Sequence, residues 1–382
     1  MTPRSLLMVA NQLDSFFNHR LPQAIGAIDD GFDVHVAMDE ADAACSRAAA
    51  LGLEGLTFHH LPLARGFGNP LAELESLSAL HRLVRHLRPG IVHAYTLKPV
   101  LYAGLVTRRT GTPLAASVTG VGSFFLGTST RDKLIQSALL PALRLALAGN
   151  RPCRVIVQNP DDQSLVTGPL AVPTAKTRLI RGSGVDISAF APASPPPIAP
   201  PVRVVLAARM LADKGVREFV KAARQLKAKD LEAEFVLAGG LDPANRSAIT
   251  EEEINSWTQE GVVTWTGHVT DMAALYRSTH IACLPSYREG LPKSLLEAAA
   301  CALPIATTDV PGCRDAIVAE ETGLLVPARS TAPLADALAR LITDAELRAR
   351  MGRAGRAYVE AGLSVDAVVS QTLNVYGELL NA

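Results

Sequence analysis

The feature that most constrains this chain is a recurrent alternation of short apolar runs with longer stretches of helical periodicity. In the first half the runs are Leu6–Val9, Val34–Ala37, Leu56–Leu61, Ile91–His93, Leu114–Val118, Val155–Gln158 and Thr177–Ile180. In the second half they are Val202–Ala207, Glu234–Leu237, Val262–Trp265, Ile281–Leu284, Ile305–Thr307 and Leu324–Val326. Runs of this length read as buried strands, and helical patterns such as Leu71–Arg88 and Lys133–Leu147 lie between them. Strands joined through helices run parallel, so the expected class is α/β with parallel sheets covered by helices.

The segment at 191–201 holds six prolines in eleven residues. Proline lacks an N–H and resists helix, so this reads as a semi-rigid spacer. It falls close to the midpoint of the 382 residues. The expected organisation is one α/β domain over 1–187, a linker over 188–201 and a second α/β domain over 202–362. Helical patterns run from Ala332 to Leu380, interrupted at Gly362–Ser364, and 363–382 is expected to be a helix crossing back to the first domain. In such sheets ligands bind at the carboxyl ends of the strands and between domains.

Composition excludes several classes. Hydrophobic residues make up 48% and charged residues 19%, too apolar for a disordered chain. Lys+Arg and Asp+Glu both number 37, so the basic excess of a nucleic-acid binder is missing. The five cysteines form no CxxC pair and read as reduced thiols of a cytoplasmic protein. The opening MTPRSLLMVANQLD reads as a first strand rather than a signal peptide, and no apolar run is long enough to span a bilayer.

The densest chemical signal is Leu284-Pro-Ser-Tyr-Arg-Glu-Gly-Leu-Pro-Lys-Ser-Leu-Leu-Glu297. A strand ends at Pro285, a loop carries Glu289 and Gly290, and a helix begins near Pro292. Free backbone N–H groups around Leu291, Lys293 and Ser294 would then present partial positive charge to a phosphate. One turn on, the Glu297 carboxylate can take two hydrogen bonds from vicinal hydroxyls such as those of a ribose. Glu289 can meet a sugar hydroxyl beyond the phosphates. Earlier, a strand ends at Ala207, and Arg209 and Lys214 sit in the loop before the next helix. Two such cations suit a diphosphate, although solvated loop residues would give the same pattern.

Together, R-x4-K followed by E-G-x-P-x-S-x-x-E resembles the nucleotide-sugar site of family 4 retaining glycosyltransferases with the GT-B fold. Further matches are FFNHRLP (16–22), HAYTLKP (93–99), VTGVGSFF (118–125), VIVQNPDD (155–162), GSGVD (182–186), TGH (266–268), TDVPGCRD (308–315) and ETGLLVP (321–327). They look like the branch that assembles capsule, O-antigen and lipid-linked oligosaccharides, in which sugars pass from UDP-sugars to polyprenyl-diphosphate-linked acceptors. The resemblance implies two Rossmann-like domains facing a cleft, the first for the acceptor and the second for the donor.

It further implies that Arg209 and Lys214 hold the donor diphosphate as the leaving group departs, and that Glu289 orients the donor sugar. Glu297 would take the ribose hydroxyls. Gly290, Leu291, Pro292, Lys293 and Ser294 would surround the donor, with Gly239, Gly240, Gly267, His268 and Val269 near the nucleotide. Acceptor or cleft candidates are Asn11, Phe16, Phe17, His19, His93, Lys98, Thr119 and Gly120. Two departures stand out: Thr119 occupies a position where many relatives carry histidine, and Asn11–Phe17 replaces a glycine pair after the first strand. His93 could contribute in its stead, or be structural.

No metal-binding DxD or His/Cys cluster is apparent, so metal-independent transfer and no cofactor beyond the donor UDP-HexNAc or UDP-hexose are expected. Residues 131–154 combine apolar faces with five basic residues and one acidic. That suits a helix lying on the cytoplasmic face of the inner membrane, and equally a core-facing helix. Rival readings are a sugar-nucleotide epimerase or hydrolase on the same scaffold, and a two-domain solute-binding protein.

Overall fold

This computed structural model describes residues 4–63, 69–119, 130–150, 152–193 and 201–382. The chain forms two compact units, one of residues 1–183 and 366–382, the other of 184–365. The first boundary falls earlier than the proline content suggests, for a local reason. Val185 N donates to Leu363 O and Val365 N to Val185 O, both at 3.0 Å, which ties the segment after residue 183 to the second unit. Arg356 adds bonds from Nη1 to Ile187 O and Phe190 O. Residues 194–200 of the proline-rich stretch lie outside the described residues.

The first unit holds a parallel seven-stranded sheet. Its strands are β1 (Arg4–Val9), β2 (Phe32–Met38), β3 (Leu56–His60), β4 (Ile91–Tyr95), β5 (Leu114–Ser117), β6 (Cys153–Val157) and β7 (Thr177–Leu179). Their order is β3-β2-β1-β4-β5-β6-β7, so successive connections diverge between β1 and β4. The second unit holds a parallel six-stranded sheet of β8 (Val202–Ala207), β9 (Ala233–Ala238), β10 (Thr264–Trp265), β11 (Ile281–Leu284), β12 (Ile305–Thr308) and β13 (Gly323–Val326). The order β10-β9-β8-β11-β12-β13 places the divergence between β8 and β11. Strands this apolar on both faces need helices on both, and each sheet has a buried aliphatic cluster above and below it.

The carboxyl-terminal helix Val365–Leu380 belongs almost wholly to the first unit. Val368, Val375, Tyr376 and Leu379 are buried in the same cluster as Leu6, Met8 and Ile91. Glu378 Oε2 accepts from Arg154 Nε at 2.6 Å and Arg178 Nη2 at 2.5 Å. The preceding helical stretch is two helices, Thr331–Thr343 and Ala345–Glu360, separated at Asp344, whose side chain accepts from Leu347 N.

Candidate functional site

An open parallel sheet leaves a crevice at its carboxyl edge where neighbouring strands send their connections to opposite faces. In the second unit that point lies between β8 and β11. The loop after β8 carries Arg209 and Lys214, and the loop after β11 carries Ser286 through Leu291. The two loops touch at Gly215, whose φ is +73° and whose missing Cβ would stand 2.1 Å from Pro285 O. Any side chain there would drive the loops apart. Tyr287 N donates to Asp213 O at 2.8 Å, a second tie between them.

This contact brings the predicted charges together. Lys214 Nζ donates to Glu289 Oε1 at 2.5 Å, and Ser286 Oγ donates to the same oxygen at 2.7 Å. Glu289 N donates to Pro311 O at 3.1 Å, and the loop after β12 closes over it at Gly312. A Cβ on Gly312, at φ +81°, would meet Glu289 O and Gly290 O at 2.5 and 2.6 Å. Nearby, burial pushes the Cys313 thiol up to about 12, with the Glu289 charge adding to it. That sulfur is a packed thiol, not a nucleophile.

Arg209 is half exposed and its Nη1 is hydrogen-bonded to the mostly buried Asp242 carboxylate. Pro292 caps the helix Lys293–Ala300, one position earlier than a first-turn proline. Leu291 and Pro292 are buried, and Ser294 O accepts from Tyr276 OH at 2.9 Å. Glu297 projects one turn further on and lies 3.5 Å from Lys293 Nζ. Burial raises its carboxyl pKa, and the Lys293 ammonium opposes that rise. Gly239, at the end of β9, donates its N–H to Gly267 O at 2.8 Å and accepts from Trp265 Nε1 at 2.9 Å. Gly240 faces the exposed His268, while Val269 packs into the core.

The first unit sorts its candidates differently. Asn11 follows β1 and stands 3.4 Å from Thr96 Oγ1, at the β1–β4 divergence. Thr96, at φ +70°, caps the helix Leu97–Thr110 in a conformation that a β-branched residue rarely adopts. His19 is half-buried, with Nδ1 3.2 Å from Ser183 Oγ. Thr119 is half-buried, and its N–H donates to Ser117 O. Gly120 lies outside the described residues.

Four candidates prove to be interior. Phe16 and Phe17 pack edge to face in the core, with Arg47 over the Phe17 ring. Their places in the helix Leu13–His19 turn them inward. Lys98 is buried against Glu73, with Nζ 2.8 Å from Oε2. His93 is fully buried, its Nδ1 2.6 Å from Tyr376 OH and its Nε2 2.8 Å from Ser117 Oγ. Burial, then the Arg20 charge, hold its pKa well below the usual histidine value, so it is a neutral core imidazole. Ser286, Asp242 and Thr96 went unread in the sequence, although Ser286 lies three residues before Glu289 and Thr96 within a recognised motif.

Comparison with known proteins agrees with this division. Residues 6–159 match a family described as "Glycosyl transferase 4-like", and 201–344 match "Glycosyl transferases group 1". One relative, the N,N'-diacetylbacillosaminyl-diphospho-undecaprenol alpha-1,3-N-acetylgalactosaminyltransferase of Campylobacter jejuni, is 27% identical over 356 residues, covering 89% of each chain. The fold matches a sucrose-phosphate synthase from Thermosynechococcus elongatus with a TM-score of 0.79, 20% identity and 99% of each chain covered. It also matches Anabaena HepE in complex with UDP and glucose at 0.78 and 15% identity, over 99% of this chain and 100% of that one. Two parallel, Rossmann-like sheets of this kind are the GT-B fold. With a transferase match on each half, the chain belongs to the family 4-like, group 1 glycosyltransferases.

Proposed function

We propose that this glycosyltransferase moves a hexose or N-acetylhexosamine from a UDP-sugar to a polyprenyl-diphosphate-linked glycan, with retention at the anomeric carbon. The observation that carries the reading is the convergence of Lys214, Ser286 and Glu289 at the β8–β11 crevice, on the loop pair that also presents Arg209. The acceptor class is argued from the Campylobacter relative, whose name specifies a diphospho-undecaprenol acceptor. HepE, with UDP and glucose bound, supports the donor class.

Cleaving the bond between the anomeric carbon and the diphosphate oxygen leaves two charges: negative on the phosphate, positive on the sugar. Arg209 and Lys214 stabilise the first. An ammonium has three N–H donors and a guanidinium five, so each cation can keep its carboxylate partner and still hold phosphate. Glu289, fixed by Lys214 and Ser286, orients the donor sugar. Glu297 takes the ribose hydroxyls, and the backbone of Gly290–Ser294 surrounds the phosphates. The acceptor hydroxyl attacks the face that the phosphate leaves, and the departing oxygen takes its proton. No metal is required, since fixed cations carry out the charge neutralisation.

A lipid-linked acceptor supports a cytoplasmic position at the inner-membrane surface. Leu143, Ala146 and Leu147 of the helix Thr130–Leu147 are spent on the core, so a membrane contact within 131–154 would use the exposed Lys133, Arg144 and Leu145. The deciding experiment measures transfer from UDP-sugars to a polyprenyl-diphosphate-linked acceptor in EDTA, with Arg209→Ala and Lys214→Ala alongside. Each variant is expected to lose about 10²–10³ in kcat. Wild-type turnover in both, or activity that EDTA abolishes and Mg²⁺ restores, would overturn the reading.

A further inference from the structure

The second unit has another concavity, at the opposite end of its sheet from the donor crevice. Its floor is formed by residues leading into the amino ends of β11 and β12, including His280, Leu303 and Pro304, together with Tyr276 and Cys301. Its volume is about 390 Å³, a size that takes a small organic molecule. Cys301 also ends the helix Lys293–Ala300, whose first turn belongs to the donor site. An eight-residue helix is about 12 Å long, so the two sites are distinct.

Four arginines line this cavity: Arg277, Arg348, Arg353 and Arg356. Ala345, Ala349, Arg353 and Arg356 recur at three- and four-residue spacing on the helix Ala345–Glu360 and so share one face. Three of the guanidinium groups bond backbone carbonyls, Arg277 by a single long contact from Nη1 to Ala189 O at 3.4 Å. Arg348 Nη1 donates to Leu341 O and Ile342 O, each at 2.8 Å. Arg356 Nη1 donates to Ile187 O, Phe190 O and Ala300 O at 2.7–3.0 Å.

Carboxylates do not balance this charge. Arg356 pairs with Glu360 at 2.6 Å, and Asp344 acts on Arg348 through space. Among the described residues, Arg277, Arg348 and Arg353 have no carboxylate within ion-pair distance. Burial works against the Arg348 charge, which makes an added anion more valuable there. An apolar floor under a cationic rim matches a ligand with an apolar body and an anionic head, since charge-assisted bonds to phosphate are about twice as strong as neutral ones.

We propose that this cavity is a second ligand site, for a small organic phosphate whose apolar part rests on Tyr276, Leu303 and Pro304 and whose phosphate meets Arg277, Arg348 and Arg353. The probe is 1-naphthyl phosphate, titrated calorimetrically into the full chain with UDP saturating the donor site. Binding at one site with Kd below about 1 mM is expected. 1-Naphthol and inorganic phosphate, each offering half of the recognition, should bind at least about tenfold more weakly. The double variant Arg277→Glu/Arg353→Glu changes two exposed side chains and should weaken the probe by about tenfold or more, with Tm and UDP binding close to wild type. Absent binding, displacement by UDP, equal affinity for inorganic phosphate or undiminished binding by the double variant would each overturn the site. UDP binding is read separately, so this failure would leave the transferase reading standing.

Discussion

A carboxylate that accepts from both a lysine and a buried serine has little freedom to rotate, and Glu289 is in that position. Ser286 is fully buried, so replacing it with alanine removes a hydrogen bond to a charged group without changing the surface. Such bonds are worth about 1.5–3 kcal/mol. Ser286→Ala is expected to lower kcat about tenfold or more while the donor KM shifts less than about threefold. Steady-state kinetics separates the two, and a change confined to KM would remove the positioning role. His93 makes a different prediction. The folded state keeps it neutral to lower pH than the unfolded chain does, so the unfolded chain binds the extra proton below the ordinary histidine pKa of about 6.5. Stability is therefore full above that pH and falls beneath it, by up to about 1.4 kcal/mol per unit. Thermal melts from pH 8 to pH 5 should show this decline, and His93→Asn should flatten it. The sequence placed His93 at a strand end, but its partner Tyr376 sits on the last helix. No local pattern carries a pairing that distant, nor does one say which way Phe16 or Lys98 turns.

Elements were far more legible. Each of the thirteen strands among the described residues overlaps one of the predicted runs. The match is clearest for the inner strands, which are buried on both faces and so must be apolar, whereas the edge strands β3, β7 and β10 are partly exposed. The break at Asp344 escaped notice because apolar residues recur at helical spacing on both sides of it. The residues proposed for the donor stood out because Arg209 and Lys214, and Glu289 and Gly290, sit in two short loops that each follow directly on an apolar strand. What no pattern reveals is how closely the β8 and β11 loops pack. Gly215 is the test. Alanine there combines left-handed strain of about 1–2 kcal/mol with overpacking of about 1–3 kcal/mol against Pro285 O. Gly215→Ala is expected to cost about 2–5 kcal/mol in urea unfolding and to abolish donor binding. A loss under about 1 kcal/mol with normal UDP affinity would show that the loops can separate freely.

At the scale of the molecule, the first unit is assembled from both ends of the described chain. Removing 366–382 strips Val368, Val375, Tyr376 and Leu379 from its core and leaves Arg154 and Arg178 without Glu378. The truncated chain is expected to be cut rapidly by protease within 4–183 while a fragment spanning 184–365 persists. Equal resistance of both parts would mean that the helix is dispensable. This arrangement also sets an order of events during synthesis. Domains ordinarily fold as they emerge, the earliest first, yet here the first unit needs residues 366–382, which are made only after the whole of the second. The second unit, 184–365, has all of its residues before 366 and can be complete while its elder neighbour still lacks one wall.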